Sequence, residues 1–195
     1  MKILFLGSKK DRYNKLLKYL KHREDVVIST EEPINLNFLK KHNPDFIVSY
    51  GYRHIIKKDI LDEYKGRAIN LHISYLPWNK GAEPCFWSLI ENTPRGVTIH
   101  YLDEGLDTGD IIAQEIVEFS SEKDTLQTSY EKLHEAIKVL FTKNWDCIRI
   151  GTCKREKQVE MGTSHRLKEK KTIEHLLTNG KDTPIHVLEK YNIGD

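Results

Sequence analysis

Three polar residues stand where an amide, an imidazole and a carboxylate could act on one reacting group. Asn70 and His72 end a short apolar run, and in an extended strand residues two apart project to the same face. Asp107 follows a second strand-like run, residues 97–102, in a turn whose glycines allow sharp backbone conformations. A carboxylate there could orient the imidazole, so we predict that the three groups share one cleft. The same residue types at a strand end are also common as structural hydrogen-bonding groups, and spacing alone leaves both interpretations open.

The elements that must hold these residues alternate between strands and helices. Besides the strand that carries Asn70, apolar runs predict strands at residues 2–6, 26–29, 46–50, 97–102 and 111–117. Apolar residues at helical spacing predict helices after Asp11, at 36–41, 57–64 and 85–91, and from Asp124 to Gly151, with the two aspartates as N-caps. This alternation predicts an α/β, Rossmann-like fold with a mostly parallel twisted sheet and flanking helices. Because the turn after Gly7 lacks GxGxxG, we reject a nicotinamide-dependent enzyme.

Composition narrows the class further. The chain has 195 residues, 38% of them hydrophobic and 31% charged, which suits one domain with a sizeable core. A formal charge of +2 is far from the basic balance of a dedicated nucleic-acid binder. The sequence has no apolar run of membrane-spanning length and no signal-peptide pattern, so we expect no membrane association and a cytoplasmic location. Cys85, Cys147 and Cys153 form no CxxC pair, and we expect free thiols.

The C-terminal part of the chain is less regular and more charged than the rest. We therefore divide the chain into a catalytic domain, residues 1–150, and a short C-terminal appendage, residues 151–195. The polar segment 162–166 could contact a substrate. The apolar strand at 111–117 and the long helix after it lead us to expect a homodimer.

Three blocks of sequence, in order, resemble the signature of the folate-dependent formyltransferases, which move a formyl group from 10-formyltetrahydrofolate to an amine. The blocks are Asn70-x-His72, Ser74-x-Leu76-Pro77 with Lys80-Gly81-Ala82, and Asp103-Glu-Gly-Leu-Asp107-Thr-Gly. Residues 74–84 and the Phe86-Trp87-Ser88 segment more narrowly resemble the branch that formylates nucleotide-linked amino sugars. That branch often carries asparagine after the proline, where this chain has Cys85.

The resemblance implies the formyltransferase fold, 10-formyltetrahydrofolate as co-substrate and no metal. It implies that Asn70 donates to the oxyanion, that His72 takes or relays the amine proton, and that Asp107 orients the imidazole and stabilises its protonated form. By motif position, residues expected at the folate are Tyr52, Arg53, His54, Ile56, Asp103 and Gly105. Those expected at the acceptor are Trp78, Lys80, Glu83 and Trp87, although an aromatic residue at position 87 is also typical of core packing.

Several alternatives stay open. The expected acceptor is a nucleotide-linked 3- or 4-amino sugar, with dTDP as the expected nucleotide, and no nucleic-acid partner is expected. Formylation of glycinamide ribonucleotide is disfavoured because the turn at residues 7–10 lacks the phosphate loop associated with that activity. Initiator-tRNA formylation is disfavoured because the segment after Gly151 is shorter than a second, basic domain. The remaining alternatives are a Cys85-dependent acyltransferase and a folate- or sugar-nucleotide-binding protein without turnover.

Overall fold

The computed structural model describes residues 1–7, 11–23, 25–158 and 161–191. Its main element is a six-stranded sheet in the order β2-β1-β3-β4-β6-β7. The strand bounds are β1 (Lys2–Gly7), β2 (Val26–Thr30), β3 (Phe46–Tyr50), β4 (Ala68–His72), β6 (Gly96–Tyr101) and β7 (Ile111–Ile116). Strands β1 to β4 run parallel, whereas β6 and β7 are antiparallel to their neighbours. The predicted mostly parallel sheet is therefore confirmed.

Helices cover both faces of this sheet. They are α1 (Asp11–His22), α2 (Leu36–His42), α3 (Lys58–Glu63), α4 (Pro84–Ile90), α5 (Leu126–Ile150), α6 (Leu167–Ile173) and α7 (Ile185–Glu189). Alternate residues of β1 enter different cores, as the two-residue period of a strand requires. Ile3 and Phe5 pack in the larger core with α1 and α5, while Leu4 and Leu6 pack in a smaller core with α2 and α3.

The long helix α5 begins one residue later than the sequence predicted. Thr125 is its N-cap, because its side chain accepts a hydrogen bond from the Thr128 N–H, so the prediction of Asp124 as cap was wrong. The carboxylate of Asp124 instead accepts from the Ser120 N–H at 2.7 Å and from Lys132 Nζ at 2.6 Å. The side chain of Asp11, the other predicted cap, and the turn at residues 8–10 lie outside the described residues.

The segment after α5 packs onto the same body as the rest of the chain. Ile173, Ile185 and Leu188 belong to the larger core. A second, two-stranded sheet pairs β5 (Lys80–Gly81) in parallel with β8 (Ser164–His165). The segment predicted as an appendage therefore contacts the predicted catalytic segment directly.

Two cysteines depart from the expectation of free thiols. Cys147, near the end of α5, is joined by a disulfide to Cys153, and their Cα atoms are 5.1 Å apart. The bond is possible because Gly151 ends the helix in a left-handed conformation, with φ of 71°, and turns the chain back toward residue 147. Cys85 is a buried free thiol.

No helix in the described part of the chain is both long enough and apolar enough to cross a membrane.

Candidate active site

The structure brings Asn70, His72 and Asp107 together at the end of β4. Asn70 lies opposite Ser49 of β3 on one side and His100 of β6 on the other, which places it in the middle of the sheet. Its Nδ2 donates to Asp107 Oδ1 at 3.0 Å, and His72 Nδ1 lies 3.6 Å from Asp107 Oδ2. Asn70 and His72 thus both approach the carboxylate of Asp107, as the spacing of the three residues suggested.

Asp107 is held by its backbone and by four neighbouring groups. Its φ of 53° is in the left-handed region, which aspartate tolerates better than most residues. The carboxylate also accepts from the Gly81 N–H at 2.8 Å and lies 3.4 Å from His100 Nε2. Burial opposes its ionisation, but the imidazoles of His72 and His100 and the Gly81 N–H outweigh burial, so the pKa of Asp107 lies below its usual range. Asp107 is therefore a fixed negative charge.

His72 is oriented by a carbonyl and is neutral around pH 7. Its Nε2 lies 3.1 Å from the carbonyl oxygen of Asn79, which can only accept, so Nε2 carries the hydrogen. In the neutral ring the lone pair is then on Nδ1, on the side of Asp107. Burial lowers the pKa of His72, and nearby His100 lowers it further, against the opposing effects of Asp107 and the Asn79 carbonyl. His72 is thus a proton acceptor whose protonated form would face a carboxylate.

A prediction for the pH dependence of turnover follows from His72. Its pKa lies below the ordinary 6.5, and only its neutral form can accept a proton. We expect kcat to be flat through neutrality and to fall as the pH drops below about 6.5, through the pKa of His72. A pH series of kcat from 5 to 8 checks this, provided that a His72→Gln variant shows no such limb. An acid limb centred above pH 7 would contradict the assignment.

The loop that follows β4 is fixed by buried hydrogen bonds. Asn79 is fully buried, and its side chain bonds to Glu91, Thr93 and Thr163. The carbonyl of Trp78 accepts from Ser74 Oγ at 2.8 Å. These bonds hold the Asn79 carbonyl against His72 and the Gly81 N–H against Asp107. The loop therefore positions the candidate catalytic groups through its backbone.

A cleft of about 750 Å³ opens where β1 and β3 end, at Gly7 and Gly51. Such crevices at the carboxyl ends of parallel strands are where open α/β folds bind ligands. Among the residues predicted at the folate or the acceptor, the cleft is lined by Tyr52, Arg53, His54 and Glu83. Asn70, His72 and Asp107 do not line it, although β4 is the strand next to β3. The cleft is thus a neighbour of the candidate catalytic set.

The other predicted binding residues lie in different surroundings. Ile56 is half-buried against the smaller core. Asp103 accepts from the Gly105 N–H and from Thr108 Oγ1, and a Cβ at position 105 would overlap Thr108, so this pair shapes the turn that carries Asp107. Trp78 and Lys80 are half-buried in the loop after β4. Roles for these residues at a ligand stay predictions.

Trp87 is a core residue in this structure. Only 5% of it is exposed, and its indole stacks on His165 with ring centroids 3.9 Å apart. That burial favours the packing role over the predicted contact with the acceptor, because little of the ring is free to meet a ligand.

Three sets of contacts in the site were not predicted from the sequence. His100 is 1% exposed and lies 3.4 Å from both Asn70 Nδ2 and Asp107 Oδ1. Glu83 accepts from Tyr130 OH at 2.9 Å and from Lys170 Nζ at 2.7 Å across 47 and 87 residues. Residues 164–165 pair with residues 80–81, from which they are also far apart in the sequence.

Two other chemistries find little support in the described residues. Burial raises the pKa of the Cys85 thiol well above its usual range, so Cys85 is a neutral thiol and a poor nucleophile at pH 7. Within the described ranges, no group of three or more His, Cys, Asp or Glu side chains could hold a metal ion.

A neutral imidazole, a fixed carboxylate and an amide donor beside a cleft in an α/β fold define a candidate group-transfer enzyme. Residues 6–143 match the family model of the formyl transferase domain, so the chain belongs to the formyl transferase family. The resemblance of the three sequence blocks to this family is confirmed.

Two solved structures extend this likeness over nearly the whole chain. One is a crystal structure of the formyltransferase PseJ from Anoxybacillus kamchatkensis, in complex with UDP-4,6-dideoxy-4-formamido-L-AltNAc and tetrahydrofolate. It is 47% identical, its TM-score is 0.92, and the match covers 98% of this chain and 100% of that one. A likely sugar N-formyltransferase from Mycobacterium tuberculosis shares the fold, with a TM-score of 0.78 at 24% identity, over 97% of this chain and 85% of that one.

Curated relatives point in a different direction. A methionyl-tRNA formyltransferase from Finegoldia magna is 39% identical over 114 residues, which are 58% of this chain and 34% of that protein. One from Prochlorococcus marinus is 32% identical over 87% of this chain and 52% of its own length. The chain thus spans between about a third and a half of the length of these two relatives.

Proposed function

We propose that this protein transfers a formyl group from 10-formyltetrahydrofolate to the amine of a nucleotide-linked 4-amino-4,6-dideoxy sugar. The observation that carries the proposal is the convergence of Asn70 and His72 on Asp107, in a chain whose fold matches that of PseJ from end to end. A protein that only bound folate or a sugar nucleotide would have no need of a neutral base held against a buried carboxylate.

The geometry gives each group a step in amide formation. One N–H of Asn70 is used by Asp107. The other lies toward His100 Nε2 at 3.4 Å, a long contact that can give way to the oxygen that becomes negative when an amine adds to the formyl carbon. His72 Nδ1 can accept the proton that the attacking amine loses. The imidazolium so formed would face Asp107 Oδ2, and it can return the proton to the folate nitrogen that leaves. The co-substrate supplies the formyl carbon and a leaving nitrogen.

The cleft at β1 and β3 suits the parts of the two ligands that lie away from the reacting atoms. Its 750 Å³ is within the range of pockets that hold cofactor-sized molecules. The lining combines aromatic rings, from Tyr13, Tyr52 and Tyr130, with charged side chains of both signs. The cations are Arg53, Lys138, Lys170 and Lys181, and the carboxylates are Glu31, Glu32, Glu83, Glu131 and Glu135. Aromatic faces can stack on a pterin or a base, and cations can meet a diphosphate. We assign the acceptor to the part of the cleft near Glu83 and Lys170, and folate to the part near residues 52–54.

The nucleotide is best supported as uridine diphosphate. Resemblance of the sequence to the sugar-formylating branch suggested a dTDP-linked 3- or 4-amino sugar. The likeness to PseJ, which was crystallised with a UDP-linked 4-formamido sugar, favours the UDP-linked 4-amine. Initiator tRNA is the second candidate, because of the identity to methionyl-tRNA formyltransferases.

A substrate panel tests these assignments. The purified protein is incubated with 10-formyltetrahydrofolate and, in parallel, with UDP- and dTDP-linked 3- and 4-amino sugars, glycinamide ribonucleotide and methionyl initiator tRNA. We expect mass spectrometry to show a gain of one formyl group on a UDP-linked 4-amino sugar. Formylation of tRNA or glycinamide ribonucleotide, with none of any sugar nucleotide, would overturn the sugar assignment and leave the formyl transfer intact.

A further inference from the structure

Asp107 is held from its backbone side by a residue of the C-terminal segment. Nε2 of Gln158 donates to the carbonyl oxygens of both Asp107 and Gly109, each at 2.9 Å. Both partners can only accept, so the NH2 end of the amide must face them. One side chain thus satisfies two carbonyls of the turn that carries the candidate catalytic carboxylate.

The turn is bracketed on its other side by β6. A Cβ at position 109 would overlap the carbonyl oxygen of Tyr101, so only glycine lets the turn approach that strand. The N–H of Tyr101 donates to the Asp110 carbonyl at 2.9 Å, which ties the end of the turn to β6. The turn therefore lies between a strand backbone and the amide of Gln158.

Backbone pairing brings Gln158 to this place. Glu156 and Ile111 exchange two hydrogen bonds, Ile111 N to Glu156 O at 2.7 Å and Glu156 N to Ile111 O at 3.0 Å. The pairing is antiparallel, so residue 158 comes level with residue 109, two positions on along each chain. The position of Gln158 is thus fixed by main-chain contacts that do not depend on its side chain.

The same C-terminal segment also holds the second support of Asp107. Residues 163–165 bond to the loop after β4: Lys80 N donates to Thr163 O and Ala82 N to His165 O, both at 2.9 Å. Between these two contacts lies Gly81, whose N–H donates to Asp107 Oδ2. One stretch of chain therefore fixes both the turn of Asp107 and the donor that meets its carboxylate.

We propose that Gln158 is a positioning residue for the formyl-transfer reaction, which sets the place of the Asp107 carboxylate relative to His72 and Asn70. The inference rests on the proposed function, and it makes residues 156–158 and 163–165 part of the catalytic unit. His72 is faced by Asp107, by His100 on β6 and by the Asn79 carbonyl. Of these three groups, Asp107 is the one to which Gln158 bonds, so Gln158 acts on His72 through the position of the Asp107 charge.

Two variants at this position and one neighbour test the proposal. Gln158→Leu removes both hydrogen bonds without adding charge, and Gln158→Glu places a carboxylate of the same shape against the two carbonyls. Lys157→Ala, at an exposed position next to it, is the matched control. For Gln158→Leu we expect kcat to fall roughly ten- to a hundredfold, because small displacements of catalytic groups are costly. Affinity for a folate analogue should be unchanged, and Lys157→Ala should behave as the parent.

A second readout needs no acceptor. The pKa of His72, followed by NMR of labelled histidine, should fall in Gln158→Leu because Asp107 is no longer held near the ring. Gln158→Glu lacks the same two N–H donors, so it should lose kcat as Gln158→Leu does. If the folded variants keep both the parent kcat and the parent titration of His72, the proposal is overturned. If the parent formylates no sugar nucleotide, the proposed function fails, while the His72 titration still decides the role of Gln158.

Discussion

Replacing His72 with alanine is expected to lower kcat by roughly a hundred- to ten-thousandfold, the usual contribution of a positioned general base. His72 Nδ1 is the lone-pair nitrogen beside Asp107, and burial holds the pKa of His72 below its usual value, so the ring can accept a proton at neutral pH. Affinity for a folate analogue should stay within about tenfold, or about 1.4 kcal/mol, because one buried imidazole supplies little of the contact with a pterin. Steady-state kinetics and calorimetry on the same preparation measure the two quantities.

Two further variants separate loss of the base from loss of structure. His72→Gln keeps an N–H that can donate to the Asn79 carbonyl, but it has no group that titrates near neutrality. It should lose as much turnover as His72→Ala while remaining folded. His186→Ala removes an exposed histidine of α7 and should leave turnover unchanged. Retention of most of the turnover by a folded His72→Gln would mean that Asp107 or the substrate itself manages the proton.

Strong periodic patterns made the sheet predictable from the sequence. Strand β3 was predicted to the residue because residues 46–50 form a short, nearly continuous apolar run bounded by Pro44 and Gly51. The convergence on Asp107 was predictable for a similar reason. Asn70 and His72 share a face by strand geometry alone, and a short turn between two paired strands must return to that face.

Contacts between distant segments were not predictable in this way. The pairing of β5 with β8 involves two residues on each side, which is too short for any alternation to appear. Gln158 reaches the turn of Asp107 across 51 residues, and a glutamine in a polar segment has no pattern that marks its partner. The cap of α5 was misassigned because Asp124 and Thr125 are adjacent and both are good N-cap residues, so only the backbone path decides between them.

The second large effect concerns Asn70 and Asp107, which we expect to act with His72 as one unit. Asn70→Ala removes the proposed oxyanion donor and should cost roughly a hundred- to a thousandfold in kcat. It also removes a hydrogen bond to Asp107 Oδ1, which contributes to the place of the carboxylate. Asn37→Ala, at an exposed position of α2, is the control and should have no effect.

Asp107→Asn is the informative change at the carboxylate. Asparagine tolerates the φ of 53° that alanine would strain, so the turn should survive while the charge is lost. Without that charge the imidazolium of His72 is no longer stabilised, and kcat should collapse even though the base is present.

Double variants then test whether the three residues form a unit. If His72 can work only with a charged Asp107, then His72→Ala combined with Asp107→Asn should cost little more than the worse single change, as in other catalytic groups that depend on one another. Independent contributions would instead multiply, and the double variant would lose the product of the two single factors. Turnover of the four proteins, with folding verified by circular dichroism, distinguishes these outcomes. A multiplicative loss would show that Asp107 acts on the reaction separately from His72, as a second group in contact with the substrate.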